Sequence, residues 1–242
     1  VSLAKIEWWE RPFAALPEPH AVVPLAAGVL ALVIVLSGQP WRVARHVLTL
    51  VHEAGHALAA VLVGRRLLGI RLHSDTSGVT FSRGRPDGPG AAFTALAGYP
   101  APALLGLAFA GLIAIDQPAT VLLVSAVGVI GVLVMARNVY GVITVLLVAA
   151  VLAGVAFLGT PDVVAAFVYA ITWLLLLGSV RPIFELGRKR HRGRARDSDV
   201  DQLARLTSVP AALWILLLTV LALGCVLVGG AWLLEPTFPL FR

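Results

Sequence analysis

The run His52-Glu53-Ala54-Gly55-His56 sets two imidazoles and a carboxylate at a spacing that lets one metal ion and one water be handled together. On a helix, residues i and i+4 share a face, so His52 and His56 can aim ring nitrogens at a single zinc while Glu53 reaches a water beside it. The chemistry is hydrolysis: a Lewis acid polarises a carbonyl, and a carboxylate takes up and returns a proton. The spacing therefore predicts one Zn2+ per chain, held by His52 and His56, with Glu53 as the catalytic base.

The segment that presents these residues is apolar. Residues 43–63 are rich in Val, Leu and Ala, and a charged side chain at mid-bilayer costs roughly 2.5 to 3.5 kcal/mol on insertion scales. A polar patch bonding neighbouring helices would use the same residue types, but the order His-Glu-x-x-His favours the metal. Composition agrees with a membrane setting. Hydrophobic residues are 59% and charged residues 13% of the 242, and the mean hydropathy is +0.90, more apolar surface than one soluble core can bury.

The chain reads as an all-α polytopic membrane protein, a single integral membrane domain over 1–242. Runs long enough to span fall near 21–38, 43–63, 91–115, 119–136, 139–158, 163–180 and 209–233, giving about seven transmembrane helices. Only Arg137-Asn138 separates the fourth from the fifth, where a re-entrant hairpin is the alternative. No cleavable signal is expected, and the first run is expected to stay as an anchor. The lone Cys225 excludes an intrachain disulfide and a thiolate cluster.

Basic residues give a topology. With a cytoplasmic N-terminus, sixteen of the 19 Lys and Arg fall inside: Lys5, Arg11, the arginines between 65 and 85, Arg137, and the basic cytoplasmic loop 181–208. Arg42, Arg45 and Arg242 fall outside, so the positive-inside rule predicts N-terminus in, C-terminus out and a multi-pass protein of the cell (plasma) membrane. Zinc would then lie about 10 Å from the cytoplasmic end of the second span. The net charge of +6 does not indicate nucleic acid, because no aromatics interleave the basic residues to stack bases. Arg188 to Arg196 instead suit the anionic inner leaflet of the lipid bilayer.

After the second span the pattern changes. Gly69-Ile70-Arg71-Leu72-His73 and Val79-Thr80-Phe81 read as two short strands around the polar turn Ser74 to Gly78. A scissile bond is shielded while its segment is helical, so a strand edge formed by Gly69, Ile70, Gly78, Val79 and Thr80 could hold an unwound substrate by backbone pairing. An ordinary loop is the alternative, and His73 reads as a solvated turn residue. Asn138 is a candidate for oxyanion or substrate contact, or for satisfying backbone groups between two spans.

His52 through Ala60, the hairpin ending in Ser77-Gly78-Val79-Thr80, and Ala97-Gly98-Tyr99-Pro100-Ala101-Pro102 together resemble the site-2 protease family of intramembrane zinc metallopeptidases, in particular its compact, actinobacterial-type, peptidase M50B-like branch. Ser198 through Ala204, Leu206-Thr207, Pro210 and Trp214 resemble the C-terminal block of that branch. The resemblance implies regulated cleavage of single-pass, membrane-anchored protein substrates, with a separate regulatory partner as a candidate for controlling access. A catalytically silent membrane scaffold or binding protein that kept the motif helix is the alternative.

One departure concerns the third zinc ligand. The family's usual Leu-Asp-Gly does not occur. Among Asp75, Asp87, Glu185, Asp197, Asp199 and Asp201, the choice is Asp199: Ser198 and Asp201 can form a capping box that holds it at a defined helix start. Asp201 is the substitute, and offsetting the neighbouring arginines is the other role open to these acids.

Overall fold

The computed structural model describes residues 20–193 and 197–235. Its elements are α1 (Val22–Leu36), α2 (Gln39–Leu62), a hairpin of β1 (Arg66–Leu72) and β2 (Gly78–Arg83), α3 (Gly88–Leu96), α4 (Pro100–Ala114), α5 (Pro118–Met135), α6 (Val139–Leu158), α7 (Pro161–His191), α8 (Asp199–Thr207) and α9 (Ala211–Leu234). Lys5, Arg11, Arg194, Arg196 and Arg242, used for the topology, lie outside the described residues.

The expected class holds: apolar helices with one small antiparallel hairpin. Seven spans is approximate. Four helices, α5, α6, α7 and α9, are by themselves long and apolar enough to cross a membrane, and up to six spans result if the bent pairs α1–α2 and α3–α4 each count once. Large apolar side chains cover the outer faces of this bundle, among them Val127 and Ile130 of α5, Leu147 and Val151 of α6, and Val220 and Leu227 of α9. Such faces need no protein cover where lipid replaces water.

The expected span 91–115 is broken. Pro100 and Pro102 have no N–H for the carbonyls four residues earlier, and α3 and α4 meet at a 64° bend over Ala97-Gly98-Tyr99. The centre of the bundle is α4, α7 and α9, where Phe109, Leu175, Leu176 and Leu233 are buried. Gly106 and Gly229 both face Leu176, and a Cβ on either would stand 3.0 or 2.9 Å from its side chain. Small residues of this kind let helix backbones approach where burial from water does not drive association.

Two features of the basic end differ from the sequence reading. Within the expected loop 181–208, α7 continues through Pro182 to His191, and Asp199–Thr207 form α8. Arg188, Lys189, Arg190 and His191 fill the last turn of α7, where positive charge favours the helix dipole. The second difference is the position of Arg42 and Arg45. Contacts of α1 and α7 advance together, from Trp173 Nε1 donating to the Pro24 carbonyl at 3.0 Å to Arg181 donating to the carbonyls of Val35 and of Ser37, the latter at 2.8 Å. The chain then turns through 102° into α2. There Arg45 pairs with Glu185 at 2.5 Å, and the Arg181 guanidinium lies 4.9 Å over the buried Trp41 ring. A direct ion pair cannot cross a bilayer, so the α1–α2 elbow and the start of the basic segment share one side instead of opposite sides.

This elbow predicts an accessibility pattern. In a Cys225→Ser background, single cysteines at the exposed Arg42 and Lys189 should react with an impermeant maleimide from the same face of sealed vesicles, and one at His20 from the other face. Labelling of positions 42 and 189 from opposite faces would remove the elbow.

Candidate metal centre

α2 carries the motif on one side. Glu53 and His56 are buried and His52 half-buried, which the i, i+4 spacing of the histidines requires if they serve one centre. His52 Nε2 and His56 Nε2 lie 3.1 Å apart, and Asp199 Oδ2 lies 3.1 Å from the first and 3.3 Å from the second. Among the described residues this is the group of His, Cys, Asp and Glu donors close enough to share an ion. Two nitrogens and an oxygen bound tetrahedrally at about 2.0–2.1 Å would be separated by about 3.3 Å, so the donor set fits zinc in both kind and spacing.

Neighbouring groups set the direction of each donor. The His56 Nδ1–H donates to the Thr94 carbonyl at 2.7 Å, which fixes the tautomer that leaves the Nε2 lone pair facing the centre. The His52 ring meets the Tyr99 ring edge-on at 4.8 Å. Asp199 is the first residue of α8, whose start is a capping box between Ser198 and Asp201, as expected from the sequence. Asp201 is engaged there and in an ion pair with Arg190, so Asp199, not Asp201, is the acid turned to the histidines. Burial pushes the Asp199 carboxyl up, but hydrogen bonds and charge from the two imidazoles, when they carry the protons that a bound cation displaces, outweigh it and hold the group well below the usual carboxylate range. It is ionised, as a ligand must be.

Glu53 faces the hairpin. The Thr80 hydroxyl donates to Glu53 Oε2 at 2.6 Å, and Gly78 packs so closely that a Cβ on it would stand 2.7 Å from Glu53 Oε1. The strands run longer than the sequence suggested, and Gly69, Ile70, Gly78, Val79 and Thr80 all lie on them. His73 N–H donates to the Ser77 carbonyl at 2.8 Å, closing the turn as a hydrogen-bonded pair. Such pairs alternate along an antiparallel ladder. In the register Leu72↔Gly78 and Ile70↔Thr80, the backbone groups of Gly78 and Thr80 therefore point away from β1.

The outer edge of β1 is covered. Ile70 bridges Ala136, Arg137 N–H donates to the Ile70 carbonyl at 2.9 Å, and Asn138 pairs with Leu72 like a piece of strand. Its Nδ2 donates to the Leu72 carbonyl at 2.7 Å and its Oδ1 accepts from the Leu72 N–H at 3.2 Å. Asn138 is thus placed at the α5–α6 junction with both amide atoms in use, serving backbone groups where two spans meet. Glu185, Asp75 and Asp197 are also elsewhere, paired with Arg45 and Arg181, with Ser77, and with Arg205. Sequence reasoning did not single out Thr94, Gly98 or Tyr99 as site residues. The proline pair at 100 and 102 was the available signal, since it breaks the span just where these residues gather.

A sequence model of the family described as Peptidase M50B-like matches residues 25–229, most of the chain and all of this centre. No curated protein and no solved structure matches.

The geometry predicts one divalent ion per chain. His52→Ala, His56→Ala and Asp199→Ala should each deplete it in elemental analysis, whereas Asp201→Ala should cost about 0.5–2 kcal/mol of α8 stability as a lost cap and retain most of the metal. Full retention in Asp199→Ala with loss in Asp201→Ala would transfer the ligand role.

Proposed function

The chain belongs to the Peptidase M50B-like family, and from that premise we propose that it is an intramembrane zinc metalloendopeptidase that cuts membrane-anchored protein substrates. The observation that carries this reading is the 3.1–3.3 Å triangle of His52, His56 and Asp199 with a Glu53 carboxylate one residue from the first ligand. Zinc, when bound, supplies Lewis acidity for the scissile carbonyl and acidifies water from a pKa of about 15.7 toward about 7. Glu53 accepts the proton of the attacking water and hands it to the leaving amine. Thr80 holds that carboxylate in place through its hydroxyl, and three protein ligands leave a position free for the reaction.

The substrate is bound as a strand. Because Ala136 to Asn138 cover β1, the edge proposed for pairing is β2, whose face at Gly78 and Thr80 lies against Glu53. A single-pass membrane segment that unwinds locally can add to this edge by main-chain hydrogen bonds, which exposes its scissile carbonyl beside the base. Any control of access then comes from a separate partner or a prior cut in the substrate.

The site end faces the cytoplasm of a plasma-membrane protein. Arg45 and Arg181 share Glu185, and Arg190 pairs with Asp201 of α8, two residues from Asp199, so basic side chains flank the centre, as the positive-inside rule asks of a cytoplasmic face. On this reading the His20 end of α1 and the C-terminal end of α9 face outward.

Two measurements test the proposal. Glu53→Gln should retain zinc and lose cleavage of a reconstituted single-pass substrate, since an amide cannot take a proton at neutral pH; near wild-type turnover would exclude Glu53 as the base. Along β2 the alternation that turns Gly78 and Thr80 outward turns Ser82 outward too, so Ser82→Pro removes an outward N–H, together with the hydroxyl that accepts from Arg65 Nε, a change that edge strands tolerate. It should leave the zinc content intact and lower kcat/KM about 2- to 10-fold, the equivalent of one net hydrogen bond of about 0.5–1.5 kcal/mol.

A further inference from the structure

Gly98 lies buried in the break between α3 and α4, outside the set of ligands and bases. A Cβ built on it would stand 2.3 Å from His56 Nε2, 2.6 Å from His56 Cε1 and 2.6 Å from His52 Nε2. No other glycine among the described residues meets both metal donors. The neighbouring contact is equally close: a Cβ on Gly55, between the two histidines in sequence, would stand 2.6 Å from the Ala97 carbonyl oxygen and 2.5 Å from the Ala101 Cβ. α2 and the α3–α4 break therefore touch through two glycines, one on each side.

We propose that Gly98 is a positioning residue of the metal centre: because it has no side chain, the backbone of the α3–α4 break can lie against both imidazoles while their Nε2 atoms converge. The inference rests on the reading of His52, His56 and Asp199 as a zinc site. The argument is steric. Two donors 3.1 Å apart cannot both keep their places if a methyl group stands 2.3 and 2.6 Å from them. His56 has little freedom to yield, because its Nδ1–H is fixed on the Thr94 carbonyl at 2.7 Å, in the same helix that leads to Gly98. His52 is confined by Tyr99, the residue after Gly98. The break thus orients both rings from behind, through Thr94 and Tyr99, and leaves space in front of them through Gly98.

The test is a variant series in purified full-length protein. Gly98→Ala should lower zinc affinity, measured by competition with a graded chelator, by at least about 10-fold, the lower end of what disturbing groups around a metal site costs. Its helical content should match wild type. Its loss of thermal stability, measured on metal-free protein, should vanish when the same change is made in a His52→Ala/His56→Ala background, because the colliding rings are gone. Wild-type zinc affinity in Gly98→Ala would overturn the proposal. So would a stability loss of equal size in the background without the histidines, which would assign Gly98 to the backbone of the break alone. If Gly98→Ala does not fold, recovery of folding in that background supports the proposal and failure to recover overturns it. A wild-type protein that binds no zinc would defeat the metallopeptidase reading separately, while the coupling between residue 98 and the two rings would still decide this one.

Discussion

Donors from segments 147 residues apart must meet within about 3 Å at the centre, and much of the architecture near the site follows from that convergence. A carboxylate brought into apolar surroundings is costly unless it is paired, and Asp199 is paired with both imidazoles. α8 is too short to hold its place by helix propensity alone. It is held by packing, with Val200 and Leu203 buried, and by polar ties, with Ser198 and Asp201 capping its start and Arg190 of α7 bound to Asp201. From the opposite direction the α3–α4 break supplies the Thr94 carbonyl and the Tyr99 ring. The two histidines on α2 are thus gripped between an element that precedes α5 and an element that follows α7.

A second constraint is the backbone of the hairpin. Polar main-chain groups close to lipid require partners, and the two edges of this small sheet meet that need differently. The residues between α5 and α6 close the edge of β1, with the Asn138 side chain imitating a strand against Leu72. The Thr80 hydroxyl on β2 holds the Glu53 carboxylate, so on the proposed reading the strand that pairs with an extended peptide also orients the base. On that reading, a peptide that stays helical satisfies its own backbone and gains nothing from the β2 edge, so the pairing would select segments that unwind.

The elbow between α1 and α2 determines where this machinery sits. Arg181 binds the carbonyls that end α1, stacks on Trp41 and shares Glu185 with Arg45. These contacts lay the first turns of α2 across the basic end of α7, the end that also pairs with α8 through Arg190 and Asp201.

The residues of the centre were legible to different degrees, for physical reasons. His52, Glu53 and His56 could be read directly because helical periodicity alone puts them together, and the apolar runs were legible because lipid exposure demands long hydrophobic stretches. Asp199 was legible through its local capping signal, which depends only on Ser198 and Asp201. The hairpin showed in its turn residues. What the sequence could not carry were relations between distant segments: that Asn138 spends its amide on Leu72, that Arg45 meets Glu185 and so brings the elbow to the basic side, and that Gly98 faces both imidazoles. Charge counting alone assigned Arg42 and Arg45 to the wrong side relative to Arg181, because it ranks segments by composition and cannot see an ion pair. Local chemistry and periodicity determined the helices and the grouping of His52, Glu53 and His56; tertiary packing decided the partners of each, since only the folded chain brings those distant groups within hydrogen-bonding distance.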